Sequence, residues 1–137
     1  MTALFADTFY WIALADSADR MHKRALELTA ECATSRLVTT DEVLAEYLTF
    51  FSAAPDLMRR EVAASVRGLL ASPVVHIIPQ SRASFLAGLG LYEARPDKGY
   101  SLTDCISMEV MRREGLIEVL TNDRHFEQEG FRALFHS

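Results

Sequence analysis

Three aspartates stand at positions where their carboxylates could bind a metal ion. Asp7 and Asp123 each follow a short apolar segment, and Asp104 lies in the first turn of a predicted helix. Carboxylates that lie close together repel one another unless a cation neutralises them. Oxygen ligands suit hard cations such as Mg²⁺ or Mn²⁺ rather than zinc. If the fold brings these side chains together, we expect a divalent-metal site.

Local structure offers a simpler role for each aspartate taken alone. Asp7 could be the N-cap of a helix, and Asp123 could be a turn residue. Asp104 suits the second half of a capping box that begins at Ser101. Apolar residues surround Asp104 along its helix, however, and a carboxylate in dry surroundings costs free energy unless it is hydrogen-bonded, paired or metal-bound. The metal hypothesis therefore depends on the three side chains meeting in space.

Short apolar segments alternate with amphipathic ones along the chain. The pattern predicts strands at residues 3–6, 36–39, 74–78, 117–120 and 131–135. It predicts helices at residues 8–15, 41–51, 56–71, 81–95 and 101–114, with a further helix that begins near His22. This alternation is typical of a three-layer α/β fold, in which helices cover both faces of a mainly parallel sheet. Such folds bind ligands at the carboxyl ends of their strands, so we expect the aspartates on one rim.

Length and composition indicate a single domain that covers residues 1–137. Half of the residues are hydrophobic, yet no stretch approaches the roughly 18 uncharged apolar residues that a membrane-spanning helix needs. Cys32 and Cys105 lie far apart in the sequence, and their spacing fits neither a disulfide framework nor a zinc site. We therefore expect reduced thiols, no membrane span and a cytoplasmic location.

The formal net charge of -5 argues against a protein that coats nucleic acid, because non-specific affinity for phosphates comes from clustered lysine and arginine. Four acids gathered around a cation would, however, leave the remaining surface almost neutral. The charge is therefore compatible with a polyanionic substrate.

Four segments of the chain resemble, in the same order, the four motifs of PIN-domain nucleases. The segments are Leu4-Phe5-Ala6-Asp7-Thr8, Val43-Leu44-Ala45-Glu46, Ser101-Leu102-Thr103-Asp104-Cys105 and Leu120-Thr121-Asn122-Asp123-Arg124-His125-Phe126. Each motif alone is weak evidence for the family. The ordered set is strong evidence, because it extends from residue 4 to about residue 131. Within the family, the chain looks most like the VapC-type toxins of bacterial toxin–antitoxin pairs.

The resemblance implies a PIN-like fold and a metal-dependent endoribonuclease that uses one or two Mg²⁺ or Mn²⁺ ions. Its acidic residues would be Asp7, Glu46, Asp104 and Asp123, with Asp7 and Asp104 as the first expected ligands. Glu46 comes from the resemblance, because helical periodicity alone does not select it over neighbouring acids such as Glu42. The family also implies an RNA substrate, a cognate antitoxin and a homodimer.

Six further residues are given supporting roles. Ser101 and Thr121 are expected to orient ligands or water, although a plain N-cap also explains Ser101. Residues expected near the rim, where they would contact the RNA backbone, are Arg95, Lys98, Arg124 and His125. Ordinary surface solvation is the alternative for each of these four.

Two other functions compete with the ribonuclease. One is a non-catalytic PIN-like module that binds RNA or protein, which the presence of all four acids disfavours. The other is a phospho-acceptor receiver domain, another α/β fold with an acidic Mg²⁺ site. Receiver domains resemble one another in having a lysine late in the chain. The only lysines here are Lys23 and Lys98, which disfavours this hypothesis.

Overall fold

The computed structural model describes residues 2–136 and shows a parallel sheet surrounded by helices. The strands are β1 (Ala3–Ala6), β2 (Arg36–Thr40), β3 (Val75–Ile78), β4 (Glu118–Leu120) and β5 (Arg132–Ala133). The helices are α1 (Thr8–Ala15), α2 (His22–Glu31), α3 (Asp41–Phe50), α4 (Asp56–Ala71), α5 (Arg82–Ala94), α6 (Leu102–Glu114) and α7 (Arg124–Gln128). A 3₁₀ turn follows at Leu134–His136.

All five strands run parallel, in the order β3-β2-β1-β4-β5. The central strand β1 is fully apolar, and Phe5 within it is completely buried, as is Val119 in β4. Complete burial of this kind is expected where helices cover both faces of a sheet. The predicted α/β fold is therefore confirmed.

The pairing of β1 with β4 determines where the candidate site forms. Ala6 lies opposite Leu120 in this pair, so both strands end at the same level. The residues that follow, Asp7 and Thr121, leave the sheet side by side, and the backbone N–H of Asp7 donates to the carbonyl oxygen of Leu120 at 3.3 Å. The expected rim at the carboxyl ends of the strands exists.

The predicted elements differ from the structure mainly near the carboxyl terminus. The expected strand at 131–135 is reduced to two residues and then becomes the 3₁₀ turn. Helix α7 was not expected, because five residues carry too little periodicity to be recognised. Its N-cap is Asp123, whose side chain accepts from the backbone N–H of His125 at 2.9 Å.

No helix within residues 2–136 combines the length and the apolar character that crossing a membrane requires. Cys32 and Cys105 are both free thiols.

Helices α5 and α6 approach each other closely at Gly88. A methyl group added there would overlap the side chain of Ile106 and lie 3.0 Å from the backbone nitrogen of the same residue. Ile106 stands two residues after Asp104, so this contact helps to set the position of the helix that carries Asp104. Gly90, on the same helix, has open space around it.

A buried carboxylate connects the ends of α5, α6 and α7. Glu129 is only 4% exposed in its side chain, and it accepts from Arg95 at 2.9 Å, from Arg112 at 2.6 Å and from the hydroxyl of Tyr100 at 2.8 Å. Burial alone would raise the pKa of Glu129, but the hydrogen bonds from Arg112, Arg95 and Tyr100 outweigh it and lower the pKa to about 2. This carboxylate therefore stays charged and ties three helices together.

The glycine contact predicts opposite effects for two alanine substitutions on one helix. Gly88→Ala forces α5 and α6 apart and should lower the free energy of unfolding by about 1–3 kcal/mol. Gly90→Ala adds helix propensity without a clash and should raise it by about 0.5–1 kcal/mol. Urea unfolding followed by circular dichroism measures both, and equal effects of the two substitutions would contradict the close approach.

The Glu129 ion pairs predict a stability that depends on pH. Glu129→Gln should lower the free energy of unfolding at pH 7 by about 1–3 kcal/mol, because Arg95 and Arg112 lose a charged partner. The folded pKa of Glu129 lies below its ordinary value of 4.5, so the advantage of the natural protein exists above pH 4.5 and is lost as the pH falls towards 2.

Urea unfolding at a series of pH values tests this expectation. Glu127→Gln is the matched control, because its side chain is 40% exposed and its contact with Arg124 spans 3.6 Å. The control should change stability by less than about 0.5 kcal/mol. A deficit of Glu129→Gln that stays constant down to pH 2 would show that charge is not the cause.

Candidate metal centre

Asp7 and Asp123 are linked by a single threonine hydroxyl. Thr121 is completely buried, and its hydroxyl donates to Oδ2 of Asp7 at 2.9 Å. The hydroxyl oxygen of Thr121 also accepts from the backbone N–H of Asp123 at 3.1 Å. Thr121 thus orients one carboxylate of the rim and fixes the backbone that carries another, a position consistent with its expected orienting role.

The side chain of Asp7 does not cap the helix that it precedes. It stands at the N-cap position of α1 and makes no capping hydrogen bond. The residue is 5% exposed, and its carboxylate faces Thr121 instead. The N-cap explanation therefore does not account for this aspartate.

Asp104 and Asp123 keep the local roles that the sequence suggested and still face the same cavity. Asp104 forms a complete capping box with Ser101, in which its Oδ2 accepts from the Ser101 backbone N–H at 3.2 Å. Asp123 caps α7. Each carboxylate has further lone pairs, so capping leaves both able to bind a cation. The Ser101 hydroxyl accepts from the Asp104 backbone N–H at 3.0 Å, so Ser101 is the N-cap of α6.

Glu46 is the acid of α3 that reaches the rim. Thr8 donates its hydroxyl hydrogen to Oε1 of Glu46 at 2.5 Å, which holds this otherwise exposed side chain next to Asp7. The neighbouring acids point elsewhere, since Asp41 accepts from the backbone N–H of Gln80 at 2.9 Å and Glu42 lines a different cavity. Thr8 was not singled out from the sequence, although its place directly after Asp7 was the available signal.

One open cavity of about 460 Å³ brings these side chains together. All four carboxylates line it, and so does Thr121. Its lining residues are Asp7, Thr8, Phe9, Ile12, Glu46, Thr49, Phe50, Asp104, Thr121 and Asp123. Acids that are far apart in the sequence therefore share one concave site.

The cavity concentrates negative charge. Burial, followed by the charges of Asp104 and Glu46, raises the pKa of Asp7 to about 7 in spite of its hydrogen bond from Thr121. Burial and then the charge of Asp123 also raise the pKa of Asp104. Among the ion pairs of the described residues, none joins a lysine or an arginine to any of the four acids. A bound cation would offset the cost of burying these charges and the repulsion between them.

His125 adds an imidazole to this acidic group. Its Nδ1 lies 3.2 Å from Oδ1 of Asp123 and 3.9 Å from Oδ2 of Asp104. The nitrogen is buried and is not aligned for a hydrogen bond with any partner in the described chain. Ligand atoms of Asp104, Asp123 and His125 all lie within 4.8 Å of one another, a spacing that could hold a metal ion.

The sequence pointed to His125 only as a contact for the RNA backbone. Its position two residues after Asp123, on an unrecognised helix, carried no clear ligand signal. The edge of the Tyr100 ring packs against the imidazole with centroids 5.2 Å apart, and the hydroxyl of Tyr100 donates to Glu129. The buried ion pairs thus help to place His125 beside the two aspartates.

The basic residues expected at the rim have different surroundings. Arg95 is bound to the buried Glu129, and its side chain remains 40% exposed. Lys98 lies 4.0 Å from the exposed Asp97, and Arg124 is 71% exposed and lies 3.6 Å from Glu127. Arg124 is therefore the most accessible of the three cations.

The donor set fits a hard divalent cation. Most of the potential ligand atoms are carboxylate oxygens. The Nδ1 atom of His125, which has no hydrogen-bond partner among the described residues, adds a nitrogen ligand of intermediate hardness. A cation held by these residues would supply positive charge that stabilises a phosphodiester under attack and lowers the pKa of an attacking water. The protein residues supply the orientation, through Thr121 on Asp7, Thr8 on Glu46 and Ser101 on Asp104.

Comparison with known proteins agrees with this geometry. Residues 4–131 match the PIN domain family. The chain is 27% identical over 128 residues to the 23S rRNA-specific endonuclease VapC20 of Mycobacterium tuberculosis, a match that covers 93% of this chain and 95% of that protein.

Solved structures show the same similarity. The crystal structure of Mycobacterium tuberculosis VapC20, described as a sarcin-ricin loop cleaving toxin, superposes with a TM-score of 0.84 and 26% identity over 93% of this chain and 95% of that one. VapBC2 from Rickettsia felis, bound to a DNA fragment from its promoter, matches with a TM-score of 0.67 and 16% identity over 96% of this chain and 97% of that one, which shows the shared fold alone. The match over residues 4–131, the parallel sheet and the acidic rim together show that this chain belongs to the PIN domain family.

Proposed function

We propose that this protein is an endoribonuclease that depends on Mg²⁺ or Mn²⁺ and hydrolyses RNA phosphodiester bonds. The observation that carries the proposal is the convergence of Asp7, Glu46, Asp104 and Asp123 on one cavity. By family analogy, Asp7 and Asp104 bind the metal directly, and Glu46 and Asp123 complete the site directly or through water. Hydrolysis then leaves a 5′-phosphate and a 3′-hydroxyl.

Ribosomal RNA is the substrate class that we propose first. The relative with 27% identity is named as a 23S rRNA-specific endonuclease, and the similarity covers almost the whole length of both chains. The structure of that relative is described as cleaving the sarcin-ricin loop. A structured loop of large-subunit ribosomal RNA is therefore the first substrate to test.

The biological role that we propose is that of the toxin in a toxin–antitoxin pair, acting in the cytoplasm as a homodimer. The similarity to VapC20, a described toxin, supports the role. The VapBC2 structure is described as bound to a DNA fragment from its promoter, so a DNA-binding partner is the kind that we propose to look for. An antitoxin that covers the acidic rim would place a basic residue among the carboxylates.

Removing a single carboxylate should stop cleavage without disturbing the fold. Asp104→Asn and Asp7→Asn should each lower the rate of RNA cleavage by at least roughly 100-fold, because metal binding and charge stabilisation are lost. The asparagine side-chain oxygen can still accept the hydrogen bonds from Ser101 and Thr121. The assay is cleavage of total RNA and of a sarcin-ricin loop oligonucleotide with Mg²⁺ or Mn²⁺, followed by mapping of the cut ends.

Asp97→Asn is the matched control for this assay, since that side chain is 74% exposed outside the cavity. Asp97→Asn should cleave RNA at the natural rate, and a chelator should stop cleavage by this variant and by the natural protein. Cleavage by Asp104→Asn at the natural rate would reject the proposed site. Tight RNA or protein binding by a natural protein that neither binds metal nor cleaves RNA would instead favour a non-catalytic PIN module.

The raised pKa of Asp7 predicts a pH-dependent stability for the metal-free protein. The folded protein holds the Asp7 proton up to about pH 7, whereas the unfolded chain releases it near 3.8. Stability should therefore fall as the pH rises from about 4 through 7. Asp7→Asn removes this cost, so above pH 7 it should be more stable than the natural protein, by an amount on the order of 3 kcal/mol.

Urea unfolding in chelator at several pH values checks the sign of this effect. Asp97→Asn should follow the natural protein at every pH. Added Mg²⁺ should stabilise the natural protein more than Asp7→Asn. A metal-free Asp7→Asn protein that is less stable than the natural one at pH 8 would contradict the buried charge.

A further inference from the structure

Apolar side chains form part of the wall of the acidic cavity. Besides the four carboxylates and the threonines at positions 8 and 121, the wall includes Phe9 and Ile12 of α1 and Thr49 and Phe50 of α3. Phe9 packs edge-on against Phe135 with ring centroids 4.9 Å apart, so this wall joins the core. Phe50 is the exposed aromatic residue of this wall, with 62% of it accessible, whereas Phe9 is half-buried.

Phe50 lies one helical turn from a carboxylate of the site. Phe50 is the last residue of α3 and follows Glu46 by four positions. Residues four apart share one face of a helix, with Cβ atoms roughly 5–6 Å apart. The cavity therefore offers a negative group that binds a cation and, one helical turn away, an accessible aromatic ring.

A contact with the neighbouring ring holds the Phe50 ring in place. The rings of Phe50 and Phe51 form a T-shaped pair, with centroids 5.0 Å apart and an angle of 77° between the planes. Phe51 is 5% exposed and itself packs against the buried Tyr47 at 5.8 Å. An anchored ring loses little conformational freedom when a ligand covers it.

We propose that Phe50 is a stacking platform for an unpaired base of the RNA, beside the phosphodiester bond that is cut. This inference rests on the proposed function, and it adds a residue that positions the substrate. Every base has an apolar π face, so stacking on an aromatic ring requires no particular sequence. Single-stranded and loop regions expose such faces, whereas a regular duplex hides them.

A nucleotide matches the two parts of the cavity better than a protein side chain does. It brings an anionic phosphate to the cation and a flat apolar base to the ring in one covalent unit. A protein partner needs a basic residue for the carboxylates and a separate apolar residue for Phe50. We therefore assign the ring to RNA, and protein binding is the alternative outcome of the test.

The test measures binding of two strands of equal length and equal charge. One is a short fluorescein-labelled oligoadenylate, and the other is the same sugar-phosphate chain without bases. Fluorescence anisotropy is recorded with Ca²⁺ in place of Mg²⁺, so that all four carboxylates stay intact and hydrolysis is slow. Only the oligoadenylate can stack.

Phe50→Ala should weaken binding of the oligoadenylate by roughly 5- to 150-fold, the range expected for one lost base–aromatic stack. Its affinity for the abasic strand should not change. Tyr92→Ala is the matched control, because Tyr92 is an aromatic residue of α5 that is 52% exposed and does not line the acidic cavity. It should leave both affinities unchanged.

Phe50→Trp provides a direct readout in a folded protein. It should keep the natural affinity for oligoadenylate, and its new fluorescence should be quenched when that strand binds but not when the abasic strand binds. The single natural tryptophan, Trp11, is 5% exposed and gives a constant background. Tyr92→Trp should show no quenching with either strand.

Two results would overturn the proposal. The first is an unchanged oligoadenylate affinity for Phe50→Ala, which would leave the ring to a protein partner. The second is an equal loss of affinity for both strands, which would indicate a general distortion of the cavity. These results are distinct from failure of the nuclease, because cleavage by the natural protein and its loss in Asp104→Asn are measured separately.

Discussion

The parallel pairing of β1 with β4 is the constraint on which the rest of the site depends. Ala6 and Leu120 lie opposite each other, so the chain leaves both strands at one level. Asp7 and Thr121 are then close enough for the threonine hydroxyl to donate to the carboxylate. A shift of one residue in this pair would turn each side chain to the opposite face and separate them.

The core must stabilise a group of acids that repel one another. Asp7 is almost fully buried, and the charges of Asp104 and Glu46 add to the cost of ionising it. Apolar strands on both sides of Asp7, with Phe5 and Leu120 completely buried, supply the compensating hydrophobic stabilisation. Functional sites commonly contain such locally unfavourable groups, which the surrounding fold holds in place.

The sequence predicted the fold class and the rim of the sheet because strand ends are marked by local signals. Asp7 and Asp123 follow apolar segments, and Asp104 follows a serine at capping distance. Glu46 is different, because its place at the cavity depends on the hydrogen bond from Thr8, a contact between residues 38 positions apart. Periodicity describes one helix at a time and carries no information on such contacts.

Other parts of the site were also beyond sequence patterns. His125 lies on α7, a helix of five residues that tertiary contacts stabilise rather than its own propensity. Arg95 was expected at the RNA backbone, and the structure shows it bound to Glu129, a partner 34 positions away. Helical spacing groups Phe51 with the buried Tyr47, but it does not show that the exposed Phe50 lines the acidic cavity.

The short length of α7 has a consequence for how rigidly the centre is held. Asp7 is fixed by the central sheet, whereas Asp123 and His125 are held by a small helix that is fastened from outside by the ion pairs of Glu129. The Thr121 hydroxyl, which donates to Asp7 and accepts from the Asp123 backbone N–H, joins these two supports. Substitutions at Tyr100 or Arg112 would remove the outer attachment of α7, whereas Thr121 would still hold Asp123 beside Asp7.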